Sequence, residues 1–153
     1  MSLKKIILYI ISFIIFIIGM NNTFAYTTVS GNITGNITWT TGTTYYVSSS
    51  VTIPVGSTLT IEPGVVIKMN SATFFYVRGV LNVNGTIGNK AVFTSYKDNT
   101  VGEIIAGNLL SPAWGNWYNI DINGTPTNGS IINYAEIRHA NYGIGITNSN
   151  TIV

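Results

Sequence analysis

Residues 51–69, VTIPVGSTLTIEPGVVIKM, contain three strand-length apolar segments with no room to pair with one another. Val51–Ile53, Thr58–Ile61 and Val65–Met69 each alternate. Val51, Ile53, Leu59, Ile61, Val65, Ile67 and Met69 share one face, and Thr52, Thr60, Val66 and Lys68 the other. The segments between them, PVGS and EPG, carry Pro and Gly and read as turns. Pro54, Gly56, Pro63, Gly64, Gly79 and Gly85 are expected to serve turn geometry, through fixed φ or φ > 0. Strands this short need partners from elsewhere in the chain.

A repeat of about 22–26 residues supplies them. Leu59 and Ile61 are followed by Leu81 and Val83, and Val51–Ile53 by Phe75–Val77. Val66–Ile67 is followed by Val92–Phe93, and Ile120 by Ile144. Three strands per coil recur in order, as in a solenoid in which each strand pairs one coil later. An antiparallel meander is the alternative, because Asn84-Gly85, Asn123-Gly124 and Asn128-Gly129 are hairpin-type pairs.

The strings GNITGNITW, VTIPVGSTLTIEPGVVIKM, VRGVLNVNGTIGNKAVFTSYKDNT, WYNIDI and IINYAEIRHANYGIGI resemble the N-terminal coils of secreted right-handed parallel β-helix repeat proteins of the pectin lyase-like superfamily. The resemblance covers residues 30–153 and is specific for architecture, not for an activity. It implies an all-β fold: a right-handed single-stranded parallel β-helix of about three coils. On that layout residues 26–50 are an N-terminal entry and capping segment and 51–153 are coils, interrupted by a loop at 96–116. Trp39 and Tyr45–Val47 would cover the open top. The final coil stops after its first strand with no polar cap in view. The expectation is therefore the front of a longer or truncated product, or one that stacks end to end on a partner.

Residues 1–25 are set apart. Lys4 and Lys5 precede the apolar run Ile6–Met20, and small residues Thr23 and Ala25 follow it. The run falls short of the roughly 20 residues that span a bilayer, so a cleaved signal peptide is expected, with no stable membrane insertion afterwards. Lys4 and Lys5 are two of the seven basic residues; the five that remain balance the five acidic ones. Residues 26–153, without net charge or a basic stripe, give nucleic acid nothing to bind. The sequence has no Cys, which excludes disulfides, thiolate nucleophiles, thiolate metal sites and a lipid-modified Cys.

Hydrolases and lyases of this fold need clustered carboxylates. Here Glu62, Asp98, Glu103, Asp121 and Glu136 are scattered singly. Asp121 and Arg138 are expected to approach as a solvated ion pair. His139, the single histidine, reads as a corner residue, and Gly143–Gly145 as strand. No catalytic residue, metal site or cofactor is assigned. The sequons at Asn32, Asn36, Asn84, Asn123 and Asn128 follow from a chain rich in Asn and Thr. Repeated Asn and Thr at turns are expected to bond coil to coil.

The loop at 96–116 is the best functional candidate, since long loops in compact folds are commonly functional. It contributes Lys97, Asp98, Glu103 and Trp114, with Trp117 and Tyr118 just beyond. Flat aromatic faces flanked by polar groups suit sugars. The plainer reading is that Ile104, Ile105, Leu109, Leu110 and Trp114 fold back over the coil flank. The functional expectation is a non-catalytic exported scaffold, secreted or on the cell surface, binding polysaccharide, cell-surface glycan or protein. The alternatives are the front of a polysaccharide lyase or glycoside hydrolase with its site beyond residue 153, and a truncated product without function.

Overall fold

The computed structural model describes residues 26–124, 129–147, 150, 152 and 153. The expected signal peptide at 1–25 and the sequon at Asn128 lie outside them. All regular structure among the described residues is strand. The strands are β1 (Tyr26–Asn32), β2 (Asn36–Trp39), β3 (Thr44–Ile53), β4 (Thr58–Ile61), β5 (Val66–Met69) and β6 (Phe75–Val77). They continue as β7 (Val80–Asn84), β8 (Ala91–Ser95), β9 (Trp117–Asn123), β10 (Ile131–Asn133), β11 (Ala135–Ile137) and β12 (Ala140–Thr147).

Every pairing between these strands is parallel. One sheet runs β10-β7-β4-β2. The other runs β11-β8-β5-β3-β6-β9-β12, with β1 also on β3. In both, a strand's neighbours come from the coils before and after its own. The pairs expected from the repeat are the observed registers: Leu59 faces Leu81, Val51 faces Phe75, Val66 faces Val92 and Ile120 faces Ile144. The meander is thereby overturned. Among the described residues the antiparallel contact is the isolated bridge Thr86–Asn89.

β3 joins the two limbs of the larger sheet. Its first half, Thr44–Val47, pairs with β5, and its last residues, Val51–Ile53, pair with β6. Residues 26–50, expected as an entry segment, thus contribute β1, β2 and most of β3 to the sheets. Ile152 bridges Ile131 in parallel, so the start of a further rung is in register.

The alternation seen in the sequence fills the bore. Val51, Ile53, Leu59, Ile61, Val65, Ile67 and Met69 are all fully buried, and Leu81, Val83, Phe93, Ile120 and Ile122 continue the same columns. Trp39 lies flat on Tyr45, with centroids 4.4 Å apart, and meets the Phe75 ring edge-on at 5.9 Å. Close packing of this kind makes the loss of one Leu or Ile side chain cost about 2–5 kcal/mol.

Two glycines show different demands at the corners. Gly64, in EPG, has φ +76°, which L side chains rarely adopt. Gly79 has no such φ; a Cβ there would strike the carbonyls of Pro54 and Ser57. Polar side chains tie coil to coil: the Asn and Thr expected to do so at the turns are joined by Ser, and Thr41 Oγ1 donates to the Pro63 carbonyl at 2.9 Å. Ser57 Oγ accepts from Gly35 N at 3.0 Å, Ser130 Oγ from Leu81 N at 3.0 Å, and Asn70 Nδ2 donates to the Ser48 carbonyl at 2.9 Å.

Candidate functional site

β8 ends at Ser95 and β9 begins at Trp117, so the chain leaves the coil between them. Asp98 fixes the departure. Its side chain is only 2% exposed. Oδ2 accepts from Thr94 Oγ1 at 2.8 Å, and Oδ1 accepts from Thr100 N at 3.0 Å and from the Thr100 hydroxyl. Arg138 Nη1 stands 3.5 Å from Oδ2. Burial alone would raise the Asp98 pKa. Bonds from Thr100 and Thr94 and the nearby His139 outweigh it and bring the pKa down to about 2. Thr94 Oγ1 also lies 3.0 Å from His139 Nδ1. The single Thr94 hydroxyl hydrogen is directed to Asp98, which leaves His139 Nδ1–H as donor in this contact.

Lys68 sits beneath this clasp. On β5 it alternates with the bore residues Ile67 and Met69, which aims it at the outer face. The sequence alone would leave such a lysine in solvent, yet it is fully buried because the loop lies over it. Nζ donates to the Asp98 carbonyl at 2.7 Å. Desolvation lowers its pKa, against the opposing pull of Asp98 and Glu103. Further on, Glu103 N donates to Thr44 Oγ1 at 3.0 Å. Ile105 is 4% exposed, and Asn108 Nδ2 donates to the Tyr96 carbonyl at 2.9 Å.

Beyond Asn108 the loop changes character. Leu109, Leu110 and Trp114 are 96%, 56% and 77% exposed. The chain is recaptured at Asn116, whose N donates to the His139 carbonyl and whose carbonyl accepts from Ala72 N, both at 3.0 Å. Of the apolar residues expected to fold over the flank, Ile105 does so; Ile104, Leu109, Leu110 and Trp114 remain exposed.

Trp117 re-enters the bore, fully buried, with Nε1 donating to the Arg138 carbonyl at 2.9 Å. Tyr118 turns outward and starts a row. Its ring stacks on Phe74 at 4.3 Å and 17°, and Phe74 stacks on Tyr76 at 5.0 Å and 12°. The Arg78 guanidinium lies 5.1 Å from the Tyr76 centroid, and its Nη2 donates to Asp121 Oδ2 at 2.6 Å. Tyr142, exposed, sits on the next rung within the register shift between Ala140 and Gly143.

The six residues expected at a site therefore divide. Asp98 and Trp117 are buried and bonded within the fold. Lys97 holds its Nζ 5.7 Å from the Tyr96 centroid, and Glu103 is exposed with its backbone bonded to Thr44. Trp114 and Tyr118 present rings to solvent. Phe74, Tyr76 and Arg78 lie outside that expected set. The signal lay in TFFYVR, where Phe75 and Val77 face the bore and alternation sends the other three outward. The expected approach of Asp121 to Arg138 is not seen. Asp121 pairs with Arg78 at 2.6 Å, and Arg138 with Glu136 at 2.8 Å.

Among the described residues no group of His, Asp and Glu is placed to hold a metal ion. Comparison of the chain with known protein families, curated proteins and solved structures finds no match in any of the three.

Proposed function

We propose that this chain is an exported, non-catalytic scaffold, a right-handed parallel β-helix of the pectin lyase-like kind, which binds polysaccharide or protein outside the cell or at its surface. The observation that carries the reading is how its acidic residues are used. Asp98 is taken by Thr94 and Thr100, Asp121 by Arg78, Glu136 by Arg138, and Glu62 by Thr41 N at 2.8 Å. Acid–base cleavage of a glycosidic bond needs two carboxyls facing each other across a substrate. Glu62, Asp98 and Asp121 instead tie loops and rungs together, Glu136 pairs with a residue two positions along its own segment, and Glu103 lies exposed on the loop. The basic, then apolar, then small-residue pattern at 1–25 supports export.

The test is to express the chain with its N-terminal segment, recover the exported form, and incubate it with a panel of polysaccharides. Retention without new reducing ends or unsaturated products is expected. Cleavage of any member by the purified chain would overturn the non-catalytic reading in favour of a lyase or hydrolase.

A further inference from the structure

We propose that the outer face of β6, β9 and β12 is a binding site for a neutral glycan, with Tyr118 as the ring on which a sugar stacks. The inference rests on the scaffold reading above and names the site and ligand class within it.

Single exposed apolar residues are ordinary on a protein surface. A row is different. Tyr76, Phe74 and Tyr118 lie nearly parallel, while the outer face of the other sheet carries Thr38, Thr60 and Asn82 in adjacent register. Phe74 is stacked against both neighbours, so the Tyr118 ring is held in place through one face. An aromatic platform whose orientation is set beforehand loses little freedom when a ligand arrives. Tyr142 stands on the following rung, 76% exposed, so the aromatic surface extends over strands from three successive coils. Strands in a sheet lie about 4.8 Å apart, so a chain along the coil axis would cross all three within about 10 Å.

Charge selects the ligand class. The nearest cation, Arg78, is already matched by Asp121 at 2.6 Å and rests on Tyr76. A uronate or phosphate would meet a cation whose charge Asp121 already balances. A neutral sugar needs only a ring face and hydroxyl partners, and the Tyr hydroxyls, Arg78 and Asp121 can supply both donors and acceptors.

Affinity electrophoresis of the exported chain in gels containing laminarin, xylan, galactomannan or polygalacturonate tests this. Retardation by a neutral polymer is expected, unchanged by added salt, since no net charge is matched. Tyr118→Ala should weaken it about tenfold, whereas Tyr118→Phe should stay within about twofold. Trp114→Ala should leave it unchanged. Each variant is checked by its melting temperature; should Tyr118→Ala not fold, Tyr142→Ala serves in its place, with a loss of at least about threefold expected. Retardation that both Ala variants retain, or that only polygalacturonate causes and salt abolishes, overturns this site while the scaffold reading stands. No retardation by any polymer overturns the site, and protein-partner capture then decides whether the scaffold reading survives without a glycan.

Discussion

The loop at 96–116 is two structures joined at Asn108. Its first half is bonded down: Asp98 to Thr94 and Thr100, Lys68 to the Asp98 carbonyl, Glu103 N to Thr44, with Ile105 tucked beneath. Its second half carries Leu109, Leu110 and Trp114 in the open until Asn116 returns it to the coil. Apolar content does not separate the halves, since the second is at least as apolar as the first. What separates them is polar side chains positioned to meet polar groups on the sheet. A loop without periodicity is held by hydrogen bonds and one buried lysine, and apolar residues beyond their reach stay exposed.

Substitutions can break this contrast, beginning at the clasp. Asp98→Ala strips Thr94, Thr100 and Arg138 of their shared partner and should cost about 3 kcal/mol in chemical unfolding. A loss below about 1 kcal/mol would mean that the clasp does not hold the loop. Acid removes the same bonds without mutation. The Asp98 pKa is depressed from its ordinary 3.8 to about 2, so its contribution is complete above roughly pH 4 and fades as the pH falls towards 2. About 2 kcal/mol should disappear over that window in the parent chain and not in Asp98→Ala. Ile105→Ala should cost about 2 kcal/mol by opening space under the first half. At the other extreme, Leu109→Ser should change stability by no more than about 0.5 kcal/mol. Equal effects of these last two substitutions would erase the distinction between the halves.

The coil was legible because its determinant is periodic. Inward residues alternate, and each column repeats in every coil, so Leu59–Leu81 and Val51–Phe75 could be paired by eye. The cover over Lys68 could not. Alternation correctly aims that side chain outward, but its burial comes from a segment whose path depends on single bonds at Asp98 and Thr44. Asp98 and Trp117 looked like ligand groups for the same reason: nothing local reveals that Thr94, Thr100 and the Arg138 carbonyl already engage them. The aromatic row was half visible. Strand alternation places Phe74 and Tyr76 on the outside, but their stacking with Tyr118 requires knowing that β9 follows β6 across the long loop.

One corner of the coil has a consequence for how such chains diversify. In the first rung, β3 rounds it without interruption; later rungs pass it through residues 70–74, 96–116 and 138–139. The strands on either side keep parallel pairing whatever the detour. Closing a longer loop adds only about 0.6 kcal/mol for each doubling of its length. This corner therefore acts as a graft point, where peptides of very different length can be spliced in while the flanking rungs keep their register.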